Sequence, residues 1–302
     1  MSDTLSLMCV GAQKCGTTSI KNYLAEHPEV SSHIQPEFIY FTNDQEYRRR
    51  FEDVVREQFY PSPLHAGTKL IAKYVSMSWS EKALERLQQH NPDCQLLLLV
   101  REPVARAYSS YNMERQRTGL SRSFSELRTI IEEKRHEDPM YRSFIRHGLY
   151  IEQWRVLTRY FPPSHIQVEL FENLSQSPVP LCQKLFDAIG VDSSFTPSPR
   201  VHNATTQHRS KLLAHALTAV RRHRTLINAV KRVMPYGTFR KIVDSVVKLN
   251  ASRTRFESMD SNMREYLTDF YAPFNEQFAE ETGVDLSLWQ VPRSDAYAQG
   301  QK

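Results

Sequence analysis

Glycine is scarce in this sequence: there are nine glycines in 302 residues, about half of the usual ~7%. A glycine at a sharp turn is therefore stronger evidence that the backbone requires glycine there. Long hydrophobic runs are also missing. The longest all-aliphatic run, Leu96–Val100, has five residues, whereas a membrane-spanning helix needs about 20. Since neither a signal peptide nor an internal repeat is visible, the sequence predicts a cytoplasmic protein without a transmembrane segment.

Cysteine is nearly as sparse, and its spacing excludes common uses. The chain has four cysteines, without a C-x-x-C pair or histidines at zinc-binding spacing. Reduced thiols and the absence of a metal site are therefore expected. With 40% hydrophobic and 24% charged residues, the composition is typical of a globular protein rather than a disordered or fibrous one.

Apolar runs alternate with helical patterns along the chain, which predicts an α/β fold: a parallel, P-loop-type sheet flanked by helices. The predicted strands are Leu5–Val10, Lys69–Tyr74, Gln95–Val100 and Ile166–Leu170. The predicted helices are Thr17–Glu26, Ser80–His90, Val104–Arg117, Ser123–Arg135, Leu149–Tyr160, Pro180–Ile189 and a mixed-charge helix within Asp260–Trp289. Ligands of such sheets bind at the carboxyl ends of the strands.

Positive charge is concentrated in one segment. Between Arg200 and Arg255 there are thirteen Lys or Arg residues and one acid. We expect a basic helical segment over about 200–258, within a single domain of residues 1–292 that is followed by a flexible tail, 293–302. The basic faces are either solvated, or form a lid over an acceptor cleft, or make weak peripheral contact with a membrane.

The first chemical motif is Gly11–Ser19, between a predicted strand and a predicted helix. Its two glycines allow a tight turn, Lys14 adds a charge, and the free N–H groups at the helix start favour a phosphate. Donors of the motif are Lys14, Cys15, Gly16, Thr17, Thr18 and Ser19. Because the lysine precedes the second glycine, this differs from the P-loop of nucleoside triphosphatases. A surface lysine beside an ordinary capped helix is the plainer alternative.

The second motif, Arg101–Tyr111, directly follows the most apolar predicted strand. Pro103 suits the first turn of a helix. Ser109 lies two turns into that helix, so the Arg101 guanidinium and the Ser109 hydroxyl could converge on one phosphate. Taken alone, an arginine after a strand and a serine on a helix are usually a capping arginine and a solvated hydroxyl.

Together, the two motifs resemble the sulfotransferases that use 3′-phosphoadenosine-5′-phosphosulfate (PAPS). That resemblance implies that the Lys14 loop holds the 5′-phosphosulfate, and that Arg101 and Ser109 hold the 3′-phosphate. Further similar segments are Gly148–Tyr150 with Trp154, Phe171–Leu174, and Tyr271–Asn275 with Gly283–Trp289. A late segment with Arg209 resembles the loop that closes over the 3′-phosphate.

The sequence looks closer to the bacterial and heparan-sulfate-type branch of that family. The segment Gln35–Phe41 is similar to the acidic catalytic segment of the branch, which implies that Glu37 is the general base, with His33 as the alternative. Lys73 matches a second catalytic lysine, although Ala72 stands where the branch has an acid. The usual position of a histidine or asparagine is occupied by Ile39.

The resemblance implies an enzyme that transfers a sulfuryl group from PAPS, without a metal, to a hydroxyl or amine of a small-molecule or sugar acceptor. Homo-oligomer formation is left open. A P-loop kinase or nucleotidase is the first alternative, although no predicted strand ends in a magnesium-binding Asp. A nucleic-acid-binding protein using the basic segment is the second. It is disfavoured because stacking aromatics are few in that segment.

Overall fold

A central sheet of six strands organises the protein. The computed structural model describes residues 4–60, 67–198, 207–208, 251–252 and 258–290. The strands of the sheet are β1 Leu5–Gly11, β2 Val30–His33, β3 Phe59–Tyr60, β4 Lys69–Lys73, β5 Gln95–Val100 and β6 Ile166–Leu170. They are ordered β3-β2-β4-β1-β5-β6. All neighbours are parallel except β2 and β3. This confirms the predicted α/β class.

Helices follow most strands and cover the sheet. They are α1 Thr17–Leu24, α2 Asp44–Tyr47, α3 Phe51–Gln58, α4 Glu81–His90, α5 Pro103–Thr118, α6 Glu126–Glu132, α7 Tyr150–Leu157, α8 Phe171–Gln176, α9 Pro178–Ile189, α10 Ser261–Thr282 and α11 Ser287–Gln290. Short turns of other helical types cover Met77–Trp79, Tyr141–Ile145 and Arg146–Gly148. In the part of the chain that the structure describes, no helix combines the length and apolar character needed to cross a membrane.

Burial explains why the central strands read as continuous apolar runs. Leu96–Val100 of β5 is fully buried, because β1 and β6 flank it and helices cover both faces. A second cluster of buried side chains joins α5, α6 and the 141–148 turns to α10. The helix α10 links the two clusters, because Tyr271 belongs to the second, Phe278 belongs to the cluster around the sheet, and Phe274 packs against both.

The start of α5 is specified locally by its sequence. Pro103 occupies the first turn, where its missing N–H costs nothing. The Glu102 carboxylate accepts hydrogen bonds from the N–H groups of Val104 and Ala105, at 3.0 and 2.7 Å. Gly119 ends the helix in the left-handed conformation. Together these caps fix the direction in which α5 leaves the end of β5.

Contacts divide the chain into two compact units. The first comprises residues 1–33, 37–200 and 259–302, and contains the six-stranded sheet. The second comprises 34–36 and 201–258, and includes an antiparallel ladder of Gln207–His208 with Ala251–Ser252. Most of the predicted basic segment, Arg209 and the 293–302 tail lie outside the described residues. The single-domain assignment therefore stays a prediction.

Several element boundaries differ from the sequence-based expectations. The strand β2 was not predicted, because its sequence VSSH is too short and polar to form an apolar run. The helix expected over Ser123–Arg135 covers Glu126–Glu132. The segment after β6, which resembles the acidic turn that follows a strand in the sulfotransferases, is a short helix, α8. Each difference arises where packing against neighbours, and not local pattern, decides the conformation.

Candidate active site

The loop after β1 turns sharply between the central strand and α1. Lys14 and Gly16 both adopt left-handed backbone conformations, with φ of 71° and 86°. Ala12 N–H donates to the carbonyl of Leu99 at 2.7 Å, which ties the loop to β5. Gly16 precedes α1, whose first turn receives no side-chain cap from the described residues. The first N–H groups of α1 are thus available to an anion.

Gly16 is required by its surroundings. An added Cβ would lie 2.9 Å from Cδ2 of Phe171 and 3.0 Å from Cδ2 of Leu174. The helix α8 therefore packs directly against the loop. The ring of Phe171 also lies under the guanidinium of Arg101, at 4.6 Å. One aromatic side chain thus supports both of the predicted donor-binding motifs.

Two predicted site cations meet at this loop. A guanidinium nitrogen of Arg101, Nη1, donates to the carbonyl of Lys14 at 3.5 Å. The amine of Lys14 contacts the thioether sulfur of Met113 at 3.6 Å, which is a weak acceptor. Burial, followed by the charge of Arg101, lowers the pKa of Lys14 from its ordinary value. A polyanion bound here would relieve this repulsion.

The hydroxyls of the first motif differ in exposure. Thr17 is buried at the first position of α1, Thr18 is exposed and Ser19 is half-buried. Cys15 is buried, and burial raises its pKa to about 11. Its thiol therefore stays protonated, and its backbone N–H donates to the carbonyl of Ala12 at 3.3 Å.

The face of α5 that meets the loop carries two serines. Ser109, the predicted 3′-phosphate ligand, is half-buried. Ser110 is buried, and its hydroxyl donates to the side-chain oxygen of Gln13 at 3.2 Å. Motif reading did not single out the contact between Ser110 and Gln13, which holds α5 against the loop. No signal in the sequence marks this bond, because Ser110 and Gln13 lie 97 residues apart.

Glu37 and Lys73, 36 residues apart, meet at the neighbouring strand ends. The amine of Lys73 donates to Oε1 of Glu37, and the N–H of Val75 donates to Oε2 at 3.0 Å. Lys73 ends β4 and pairs in register with Cys9 of β1, two residues before Gly11. The side chain of Lys73 is 3% exposed, whereas that of Glu37 is 30% exposed. Glu37 is therefore the solvent-facing member of the pair.

His33, the alternative base, has a different setting from the solvated loop that its sequence context suggests. It ends β2 and is 2% exposed. Its Nε2 accepts the backbone N–H of Lys73 at 3.1 Å, and its ring packs near Phe38 and Phe59. The ring nitrogen that could take a proton is thus held by the sheet beneath the Glu37–Lys73 pair.

Metal ligands are not assembled in the described part of the chain. No group of three or more His, Cys, Asp or Glu side chains lies close enough there to hold a metal ion. The four cysteines are all buried and unpaired with one another. The charged groups gathered at the strand ends are instead Lys14, Arg101 and the Glu37–Lys73 pair.

The structure is an α/β fold with a strand-to-helix loop that carries Lys14 and Gly16, and with an acid–lysine pair at the end of the adjacent strand. A family model described as the sulfotransferase domain matches residues 6–218, more than two thirds of the chain. The chain belongs to the sulfotransferase family.

Individual relatives agree with this assignment. Human heparan sulfate glucosamine 3-O-sulfotransferase 6 is 27% identical over 284 residues, which cover 92% of this chain and 72% of that protein. Human bifunctional heparan sulfate N-deacetylase/N-sulfotransferase 3 is 27% identical over 203 residues, covering 61% of this chain and 22% of that protein. A crystallised sulfotransferase from Alicyclobacillus acidocaldarius has a TM-score of 0.64 at 20% identity, covering 95% of this chain and 99% of that one.

Family membership confirms that this protein is a PAPS-dependent sulfotransferase. It also confirms the resemblance drawn from the two motifs. The kinase and nucleic-acid-binding alternatives are accordingly set aside. The similar crystal structure shares the fold.

Proposed function

We propose that this protein moves the sulfuryl group of PAPS to a hydroxyl or amine of a small-molecule or carbohydrate acceptor, with Glu37 as general base. One observation carries the proposal: the Glu37–Lys73 pair stands at the end of β4, in register with β1 where the Lys14 loop begins. A base and two lysines then surround the place where an acceptor would meet the donor.

The loop supplies what the 5′-phosphosulfate of PAPS requires. Lys14 balances charge that develops on the bridging oxygen as the sulfur–oxygen bond breaks. The N–H groups of Gly16, Thr17 and Thr18 and the hydroxyls of Thr17 and Thr18 fix the 5′-phosphate. The lowered pKa of Lys14 supports this assignment, because crowded cations are stabilised by a bound anion.

The residues assigned to bind the 3′-phosphate are Arg101 and Ser109. A guanidinium suits a dianionic phosphate through paired N–H donors. Its stacking on Phe171 holds the guanidinium beside the loop. Arg209, proposed to close over the same phosphate, lies outside the described residues. A donor held at both phosphates places its sulfuryl group in a defined direction.

Glu37 is favoured over His33 as the base because of access. Glu37 is partly exposed and keeps lone pairs beyond its bonds to Lys73 and Val75. His33 is buried, with Nε2 already accepting the Lys73 N–H. Lys73 would both orient Glu37 and face the sulfuryl oxygens.

The reaction is an in-line displacement. The acceptor oxygen or nitrogen forms a bond to sulfur, the bond from sulfur to the phosphate oxygen breaks, and adenosine 3′,5′-bisphosphate (PAP) leaves. The acceptor proton passes to Glu37. By analogy with phosphoryl transfer, positioning and charge neutralisation supply most of the rate enhancement. A positioned base contributes about 10²–10⁴-fold.

The acceptor is proposed only as a class. Of the two human relatives, one is named for O-sulfation and the other for N-sulfation of heparan sulfate, so both hydroxyl and amine chemistry are supported. Most of the basic segment 200–258 lies outside the described residues, and its sequence favours solvated helix faces over an acceptor lid. A lid would make charge reversal at Arg221 and Arg222 raise the acceptor KM and leave PAPS affinity unchanged; an unchanged KM excludes it.

The donor assignment is tested by calorimetric titration with PAP, and the acceptor class by transfer of ³⁵S from PAPS to a panel of alcohols, amines and oligosaccharides. We expect PAP to bind and at least one class to be labelled. Folded protein that releases no heat with PAP and labels nothing would refute the proposal.

The base is tested with Glu37→Gln on the best acceptor of the panel. Glutamine keeps the shape and can still accept from Val75 but cannot take the proton, so turnover should fall about 10²–10⁴-fold while PAP affinity holds. Glu169→Gln is the matched control. Glu169 lies on β6, and its carboxylate also pairs with a lysine, since the amine of Lys184 lies 2.5 Å from it. Turnover of Glu37→Gln within a few-fold of the parent would show that Glu37 is not the base.

A further inference from the structure

One buried hydroxyl joins the two donor-binding segments. Tyr150, the first residue of α7, is 1% exposed. Its hydroxyl donates to the carbonyl of Arg101 at 2.7 Å and accepts the N–H of Arg101 at 3.2 Å. The same oxygen lies 3.7 Å from Sγ of Cys15. The segment after β5 and the loop after β1 therefore share a contact with a single atom.

Just beyond the end of the sheet, the Tyr150 hydroxyl makes the backbone hydrogen bonds that a neighbouring strand would otherwise make. The pairing of β5 with β6 ends at Val100 opposite Leu170. Arg101 is the next residue, and Tyr150 satisfies both its N–H and its carbonyl. Holding both groups of one residue fixes the direction in which its side chain leaves the backbone. Burial raises the pKa of Tyr150, so the hydroxyl keeps its proton and remains a donor.

Arg101 in turn reaches back to the loop. Its guanidinium donates to the carbonyl of Lys14 at 3.5 Å and stacks on Phe171. Tyr150 and Arg101 thus close a ring of contacts with the Cys15 and Lys14 backbone. A nucleotide that carries phosphates at both ends depends on the spacing across this ring, whereas a nucleotide with only a 5′-phosphate depends on the loop alone.

We propose that Tyr150 is a positioning residue that sets the distance between the 5′-phosphate loop and the 3′-phosphate arginine, and so determines specificity for 3′-phosphorylated nucleotides. This inference rests on the proposed donor site. Removal of the hydroxyl releases the Arg101 backbone and takes from the loop only the weak contact with Sγ of Cys15. The variant should therefore lose binding affinity for the 3′-phosphate and keep its affinity for the 5′-phosphate.

The test compares the affinities of PAP and of adenosine 5′-monophosphate, which lacks the 3′-phosphate, in Tyr150→Phe. Two hydrogen bonds at about 1 kcal/mol each correspond to a drop of roughly tenfold or more in the preference for PAP over the monophosphate. The matched control is Tyr271→Phe. Tyr271 is equally buried, and its hydroxyl donates to the carbonyl of Ile145 at 2.9 Å, a residue that takes no part in the donor site.

We expect both variants to melt at lower temperature, and only Tyr150→Phe to lose preference for PAP. An unchanged preference in Tyr150→Phe, or an equal loss in both variants, overturns the inference. Parent protein that binds neither nucleotide overturns the proposed function instead. Should Tyr150→Phe fail to fold, Cys15→Ala removes the sulfur contact with Tyr150 together with the weak bond from Sγ of Cys15 to the carbonyl of Gln13. It should lower the same preference about two- to threefold, and no change there also overturns the inference.

Discussion

Gly16 offers a sharp test of how the donor loop is built. Its φ of 86° and the approach of Phe171 and Leu174 leave no room for a side chain. Gly119, at the end of α5, has a φ of 74° with nothing within 4 Å of an added Cβ. The two glycines therefore share the backbone requirement and differ in steric surroundings, so that Gly119→Ala serves as a matched control for Gly16→Ala.

The expected magnitudes follow from this difference. A left-handed conformation costs a non-glycine residue roughly 1–2 kcal/mol, and this cost applies to both variants. Forcing a methyl group into a packed site adds about 1–3 kcal/mol, and this cost applies to Gly16→Ala alone. We therefore expect free energies of unfolding lower by roughly 1–2 kcal/mol for Gly119→Ala and roughly 2–5 kcal/mol for Gly16→Ala.

Urea denaturation measures these losses, and calorimetry with PAP measures the functional consequence. Because the clash must move the loop or α8, Gly16→Ala should bind PAP at least about tenfold more weakly, while Gly119→Ala should match the parent. Equal losses of stability in the two variants would refute the steric reasoning. Parent-like PAP affinity in Gly16→Ala would refute the assignment of the loop to the donor.

Three further predictions concern charge and metals. Since burial and Arg101 lower the pKa of Lys14, Lys14 loses its charge at a lower pH than an ordinary lysine. Binding of adenosine 5′-monophosphate should weaken across the alkaline range, and Arg101→Gln should shift that weakening to higher pH; coincident profiles would contradict this. Hydrogen bonds from Arg122 lower the pKa of Asp138, so its stabilisation exists above the unfolded-state pKa and disappears as pH falls through the folded-state pKa. Urea denaturation should show Asp138→Asn less stable than the parent at neutral pH and equal at a pH below that folded-state value; a gap that persists in acid would contradict it. Finally, sulfuryl transfer should be unchanged by EDTA, and loss of turnover restored by Mg²⁺ would contradict a metal-free mechanism.

The fold was predictable where local pattern and burial agree. The strands β1, β4, β5 and β6 were predicted to within one residue, because apolar runs between turn signals leave few alternatives. The strand β2 was missed, since its polar sequence becomes buried only through pairing with β4 and β3. The hydrogen-bond partners of β2 come from β3 and β4, and its own composition does not indicate them.

The site was predictable where it lies in continuous sequence. The Gly11–Ser19 loop and the Arg101–Tyr111 segment each carry their donors within a few residues, so motif reading could locate them. The Glu37–Lys73 contact spans 36 residues, and its existence depends on the pairing of β2 with β4 and on the hydrogen bond from the N–H of Phe38 to the carbonyl of Lys73. The burial of His33 beneath that contact was also not visible, since a histidine in a short polar run looks the same whether solvated or paired.

The sequence by itself determined the α/β class, the family and the positions of the two segments proposed to bind the donor, because each depends on residue spacing along the chain. Tertiary structure alone decided which distant groups meet: Glu37 with Lys73, Phe171 beneath Gly16 and Arg101, and Tyr150 between Arg101 and Cys15. The physical reason is that such contacts depend on strand register and helix packing, which arise from the whole core rather than from any single segment.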